Sequence, residues 1–268
     1  NLLYSKNYFQ QSASGEQYAP VTMMHADSRG GMWVATDGNG LHHMPAGAEN
    51  FKQYAHHPAQ TGSISGNSVV CLLEDRQRGL WAGTFGAGLN YLPDSNKGFS
   101  FFTETPRAGN SENCLRGKVI NGFFERPDSL VWVASNGGGL HLFNPATGTF
   151  RRYAHNPQDP FSLPSDKVVS VLQDRQGRVW AGTAGNGLAC MQQETGRFTR
   201  YGKAQGLRDS YIFCLLEDRK GRVWAGHRKG IDLLLPGKDK FVPVDYVRGI
   251  PSAVALLQYV WSVKQHTN

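Results

Sequence analysis

The sequence predicts an all-β fold: a β-propeller of four-stranded blades, with five complete repeats and a composite sixth blade, forming one domain over residues 1–268. Three observations carry that prediction. A motif that reads Asp174-Arg175-Gln176-Gly177-Arg178-Val179-Trp180-Ala181-Gly182-Thr183-Ala184-Gly185-Asn186-Gly187-Leu188 in its clearest copy recurs around Trp33, Trp81, Trp132, Trp180 and Trp224, at intervals of 48, 51, 48 and 44 residues. Such a period means stacked or radial supersecondary units. Glycine accounts for 32 of 268 residues, about twice the usual ~7%, and its excess falls in register with the motif. No stretch has the spacing of an amphipathic helix.

Each copy opens with an apolar run: Val69 to Leu73, Ile120 to Phe124, Val168 to Leu172, Ile212 to Leu216 and, more weakly, Val21 to Met24. Short apolar runs bounded by turn residues read as strands buried on both faces. An acidic residue and a glycine follow at Asp27 to Gly30, Asp75 to Gly79, Asp174 to Gly177 and Asp218 to Gly221. Asp bonds its own backbone and Gly takes positive φ, so the chain reverses there. The second strand, Trp-Val/Ala-Gly/Ala-Thr/Ser, alternates large with very small side chains, which suits a strand pressed between neighbouring sheets. A glycine hairpin (Gly38-Asn39-Gly40, Gly86-Ala87-Gly88, Gly137-Gly138-Gly139, Gly185-Asn186-Gly187) leads into a third strand at Leu41, Leu89, Leu140 and Leu188. A fourth strand carries Phe51 and Tyr54, Phe150 and Tyr153, Phe198 and Tyr201, with Phe99 and Phe102 approximating the pattern. Four strands per repeat make one propeller blade.

The ends suggest how the ring closes. Leu2 to Tyr4 and Tyr8 to Gln10 have the character of third and fourth strands, while Gly249-Ile250-Pro251-Ser252 resembles the lead-in Ser162-Leu163-Pro164-Ser165 and makes Ala255 to Val260 a first strand. Pairing the two ends completes a sixth blade and removes exposed sheet edges. Against this, the register of Pro164 and Trp180 places a sixth tryptophan at position 267, where Thr267 stands, and Trp261 falls six residues early. Either the last blade is divergent or the chain belongs to a longer propeller.

Composition narrows the function. The net charge of +7, from 28 Lys and Arg against 21 Asp and Glu, comes without a basic block. A nucleic-acid binder concentrates its charge in a stripe, so a diffusely basic surface that attracts acidic ligands is expected instead. Cys71 and Cys214 occupy the same place in two repeats and are expected as buried free thiols, as equivalent positions in separate blades cannot meet disulfide geometry. Cys114 and Cys190 complete the set, and no Cys-x-x-Cys spacing indicates zinc. No metal or cofactor is expected. His42-His43 and His56-His57 do not change this, because adjacent strand residues point to opposite faces.

Asp-Arg-x-Gly-x-Val-Trp-Ala-Gly-Thr-x-Gly-x-Gly-Leu, followed by Thr-Gly-x-Phe-x-x-Tyr and by His155-Asn156-Pro157-Gln158-Asp159-Pro160-Phe161-Ser162-Leu163, resembles the two-component regulator propeller repeat. The resemblance covers about residues 18 to 252. That repeat forms the periplasmic sensor region of hybrid histidine kinases and of some diguanylate cyclases. It implies a periplasmic, non-catalytic sensor that binds a small molecule or oligosaccharide and packs against a dimer mate, with membrane attachment only through segments outside this chain. Propellers of the family usually have seven blades.

Because the motif is structural, ligand residues are expected where repeats differ. The connections at 55–66, 103–118, 154–166 and 202–210 share a rim with the glycine hairpins, and binding groups concentrate on loops held by a rigid scaffold. The residue after the second-strand Thr or Ser is Asp37, Phe85, Asn136 or Ala184, and the last copy reads His227-Arg228-Lys229-Gly230. The candidate rim set is therefore Asp37, Phe85, Asn136, His227, Arg228 and Lys229, with Arg107, Arg116 and Arg208 from the connections. Phe85 suits a sugar face and Arg228 a carboxylate or sulfate. Two alternatives stand beside the sensor: a lyase resembling virginiamycin B lyase, for which His227 is the suggestive base, and a protein-docking disc.

Overall fold

The computed structural model describes residues 19–244 except 96, 105–113 and 193. Within them the chain forms five antiparallel four-stranded sheets, each in simple sequence order. Blade 1 comprises β1 (Val21–Ala26), β2 (Met32–Thr36), β3 (Leu41–Met44) and β4 (Lys52–Tyr54). Blade 2 comprises β5 (Val69–Glu74), β6 (Leu80–Thr84), β7 (Leu89–Leu92) and β8 (Ser100–Phe102). Blade 3 comprises β9 (Val119–Glu125), β10 (Val131–Asn136), β11 (Gly139–Asn144) and β12 (Thr149–Tyr153). Blade 4 comprises β13 (Val168–Gln173), β14 (Val179–Thr183), β15 (Leu188–Gln192) and β16 (Arg197–Tyr201). Blade 5 comprises β17 (Ile212–Glu217), β18 (Val223–His227), β19 (Gly230–Leu234) and β20 (Phe241–Pro243). The inner strands β1, β5, β9, β13 and β17 pack successively on one another. This is an all-β propeller. The strands assigned to the composite sixth blade lie outside the described residues.

The motif's aspartate does more than turn the chain. In blade 4, Asp174 Oδ1 accepts the Arg178 backbone N–H at 2.9 Å while Oδ2 accepts the Trp180 indole N–H at 2.8 Å. Asp75 and Asp218 hold Trp81 and Trp224 in the same way, both at 2.9 Å. Turn and core are thus tied through one carboxylate. In blade 3 that position is Arg126, and the Trp132 indole N–H instead donates to Gln173 Oε1 of blade 4 at 3.1 Å.

A second residue covers each of four indoles. Arg178 and Arg222 lie 5.1 Å over Trp180 and Trp224, whereas the third-strand rings His43 and Tyr91 stack on Trp33 and Trp81 at 3.9 and 4.2 Å. The choice explains a local sequence inversion. A Cβ at Gly79 would fall 2.3 Å from the Tyr91 ring, so glycine takes that position in blade 2. The left-handed turn position passes to Arg78, at φ 63°, where blades 4 and 5 have Gly177 and Gly221.

The blades are joined by a repeated hydrogen bond. Each inner strand bulges at the same place, at Thr22, Val70, Asn121, Val169 and Phe213. The carbonyl just before the bulge accepts a side chain of the preceding blade: Thr22 Oγ1 donates to Val69 O, Cys71 Sγ to Ile120 O at 3.3 Å, Asn121 Nδ2 to Val168 O at 3.0 Å and Ser170 Oγ to Ile212 O at 3.2 Å. Cys71 is therefore a hydrogen-bond donor as well as a buried filler, and burial pushes its thiol pKa up. Replacing Ser170 with Ala leaves the Ile212 carbonyl without this donor. We expect a loss of ~1–3 kcal/mol in urea unfolding, with partial recovery in Ser170→Cys, which copies blade 2.

One expectation needs correction. Not every inner strand is buried on both faces: β13 is buried at all but Gln173, whereas β9 and β17 are largely half-buried, with one face towards the axial channel. The doubly buried strand is the second, with every residue of β6 and β14 buried between neighbouring blades. The five tryptophans also differ: Trp180 is fully buried and Trp81 and Trp132 nearly so, but Trp224 is only partly buried.

Candidate ligand-binding rim

The glycine hairpins grip the following blade. Gly38 and Gly40 both donate backbone N–H to Asn67 O, Gly86 and Gly88 to Lys118 O, Gly137 and Gly139 to Asp166 O, and Gly185 and Gly187 to Ser210 O. Each acceptor closes a connection and opens an inner strand, so hairpins and connections share one rim. Under each hairpin a hydroxyl closes the turn, as Thr183 Oγ1 does to Gly187 O at 2.7 Å.

The residue after that hydroxyl bridges to the next blade. Asp37 pairs with Ser68, Phe85 with Val119, Asn136 with Lys167 and Ala184 with Tyr211. Asp37, Phe85 and Asn136 are exposed, as are Arg228 and Lys229, so the structure gathers these five candidates on one rim at equivalent or adjacent hairpin positions. Phe85 is 65% exposed. The Asp37 carboxylate already accepts the Ser68 hydroxyl. Arg116 is exposed on the same rim, its backbone N–H donated to His141 Nε2 and its carbonyl accepting the Ser135 hydroxyl. Arg107 lies outside the described residues.

His227 is buried and Arg208 is half-buried, and both are bonded to the same carboxylate. His227 replaces the hairpin hydroxyl in blade 5; its side chain is fully buried, with Nε2 2.7 Å from the fully buried Asp232 carboxylate and Nδ1 accepting the Lys229 backbone N–H at 3.1 Å. Accepting at Nδ1 puts the donated proton on Nε2. Arg208 gives its backbone N–H and Nε to the same carboxylate at 2.8 and 2.7 Å. Burial alone would raise the Asp232 carboxyl, but the bonds from His227 and Arg208 outweigh it and hold the pKa below the usual value. This network braces a hairpin that has lost its first glycines. Three of the paired histidines are engaged within the fold: His43 bonds Asp27 at 2.8 Å, His42 is buried beside Phe51 and His56 Nδ1 bonds the Ile64 carbonyl at 2.7 Å.

Cavities adjoin the channel and the rim. An axial one of about 660 Å³ is lined by inner strands of all five blades, including Met23, Leu72, Phe123, Val171 and Phe213, and reaches the opposite rim at Pro127 and Arg175. Glu125 and Glu217 stand at that end, and burial raises both carboxyls. A cleft of about 650 Å³ lies on the glycine rim against the Gly86-Ala87 hairpin, with His57, Gln60, Phe101, Glu104 and Lys118 in its walls. Sequence reasoning missed Lys167, Tyr211 and Phe213, because they sit at the mouth of strands read as core. Aligning the inner strands would have found the two aromatics, since the other blades carry none at those positions.

Comparison with known proteins agrees with this geometry. The family model described as two component regulator propeller matches three stretches, residues 63–86, 162–185 and 206–229. Two extracellular domains of putative hybrid two component systems from B. thetaiotaomicron share the fold. One is 22% identical with a TM-score of 0.70, covering 83% of this chain and 29% of that one; the other is 19% identical with a TM-score of 0.63, covering 84% and 28%. Virginiamycin B lyase from Staphylococcus aureus is similar at 13% identity and a TM-score of 0.59, over 84% of this chain and 69% of that one. The chain thus spans less than a third of the two-component relatives. A search of curated proteins finds no significant match. Among the described residues no helix is long and apolar enough to cross a membrane.

Proposed function

We propose that this chain is the non-catalytic, ligand-binding propeller of a two-component signalling receptor, placed outside the cytoplasmic membrane, and that it binds an oligosaccharide on the glycine rim. The observation that carries this reading is the contrast within each hairpin. In four blades the buried hydroxyl, the glycine amides and the next blade's carbonyl repeat, while the residue above them changes from the exposed Asp37, Phe85 and Asn136 to the half-buried Ala184. A scaffold that keeps its supports and varies its tips suits recognition. The family repeat supports the signalling assignment. The lyase alternative loses its base, because both ring nitrogens of His227 are engaged and buried.

Calorimetry with a panel of neutral and acidic oligosaccharides tests the reading. We expect Phe85→Ala to weaken a bound member ~10-fold or more, equivalent to ~1.4 kcal/mol, with unchanged thermal unfolding. Turnover of any panel member would overturn the non-catalytic assignment, and binding indifferent to Phe85 would move the site.

A further inference from the structure

Blade 5 departs from the repeat at three places that the fold does not require. Its hairpin tip is only Arg228-Lys229, since His227 pairs directly with Gly230. Its inner strand is preceded by Tyr211 where the equivalent residues are Pro20, Ser68, Val119 and Lys167, and its bulge residue is Phe213 where they are Thr22, Val70, Asn121 and Val169. The departures meet. The Arg228 guanidinium lies 4.6 Å over the Tyr211 ring, and Tyr211 packs 4.7 Å from Phe213, which lines the axial cavity. Four other blades fold without any of these groups.

We propose that blade 5 carries an anion subsite, in which Arg228, held on Tyr211, takes a carboxylate or sulfate of an acidic oligosaccharide. The proposal rests on the rim reading above and narrows its ligand class. A guanidinium lying over an aromatic ring keeps its in-plane N–H fork for a planar or tetrahedral oxyanion. The support is rigid on both sides: the buried His227–Asp232–Arg208 network fixes the hairpin base, and Asp209 Oδ1 accepts the Tyr211 backbone N–H at 2.9 Å. Ala184, the small member of the rim series, is the residue bridged to Tyr211. Among the described residues no carboxylate pairs with Arg228 or Lys229, whereas the nearby Arg208 is committed to Asp232. Arg228 is thus the binding residue and Tyr211 a positioning residue.

The probe is a galacturonate hexasaccharide and its methyl ester, which differ in charge but share a sugar chain, measured by calorimetry at two salt concentrations. The acid is expected to bind more tightly than the ester and to weaken with salt. Arg228→Gln should weaken the acid about ten- to hundred-fold, the range for charge-assisted bonds, and leave the ester unchanged; Arg228→Lys should fall between. Tyr211→Leu should weaken the acid while Tyr211→Phe preserves it, with unfolding midpoints near wild type. Equal binding of acid and ester, or an Arg228→Gln protein that binds the acid as wild type does, overturns the subsite. A neutral panel member bound equally by wild type and Arg228→Gln leaves the rim reading standing without it. Failure of both hexasaccharides to bind overturns the subsite, and the neutral panel then decides the rim reading on its own.

Discussion

Trp180→Ala is expected to lower stability by ~3–5 kcal/mol, the range for truncating a fully buried large aromatic. The side chain is 0% exposed and is enclosed by Tyr201 at 5.4 Å, Phe241 at 6.4 Å and the Arg178 guanidinium at 5.1 Å. Phe241 belongs to blade 5, so the indole joins two blades and its loss opens a void at their boundary. Alanine also removes the indole N–H from Asp174, whose side chain is fully buried. Trp180→Phe helps to separate the contributions, because it keeps an aromatic ring in the core while losing the N–H and part of the indole volume; a smaller cost of ~1–3 kcal/mol is expected there. Urea unfolding followed by circular dichroism measures both. A change below about 1 kcal/mol for Trp180→Ala would mean that the repeat's tryptophan is not a core residue.

Fold and site differ in how far they could be read from the residues. The blade was legible because its supports repeat: the Trp interval set the unit, and glycine hairpins and Asp turns marked where strands end. The tie between Asp174 and Trp180 was not legible, since an aspartate that turns the chain and one that also holds an indole have the same sequence. Nor was the inversion at Arg78-Gly79, which depends on Tyr91 from the third strand reaching over Trp81. The inner strands misled for a related reason. An apolar run such as Ile212 to Leu216 reads as core on both faces, yet one face borders the axial channel, and Phe213 is a channel residue inside that run. On the rim, charge alone could not separate Arg228 from Arg208. Both are arginines beside the blade 5 hairpin, but Arg208 is bonded to Asp232, twenty-four residues on in the sequence and inconspicuous within an apolar strand.

Asp232→Ala is expected to be the other severely destabilising change, and the two together separate core packing from the bracing of the site. The carboxylate is fully buried and receives His227 Nε2 and the backbone N–H and Nε of Arg208. Removing it leaves a buried imidazole N–H without this acceptor and takes the carboxylate away from a half-buried guanidinium. Breaking a buried charge pair from one side costs ~3–5 kcal/mol, and the partial exposure of Arg208, at 30%, places the expectation at about 3. The native carboxyl pKa lies below its unfolded value, so its contribution to stability is fully present above the ordinary carboxylate range and is lost as pH falls through the native pKa. The difference in unfolding free energy between wild type and Asp232→Ala should therefore be largest near neutrality and shrink in acid. Asp232→Asn keeps the shape and one acceptor oxygen without the charge, and should lie between the two while losing that pH dependence. The same bonds fix the base of the Arg228-Lys229 hairpin, so Asp232→Asn should also weaken binding of an acidic ligand while the folded core is retained. Full affinity in a folded Asp232→Asn protein would show that Arg228 does not depend on this network for its position.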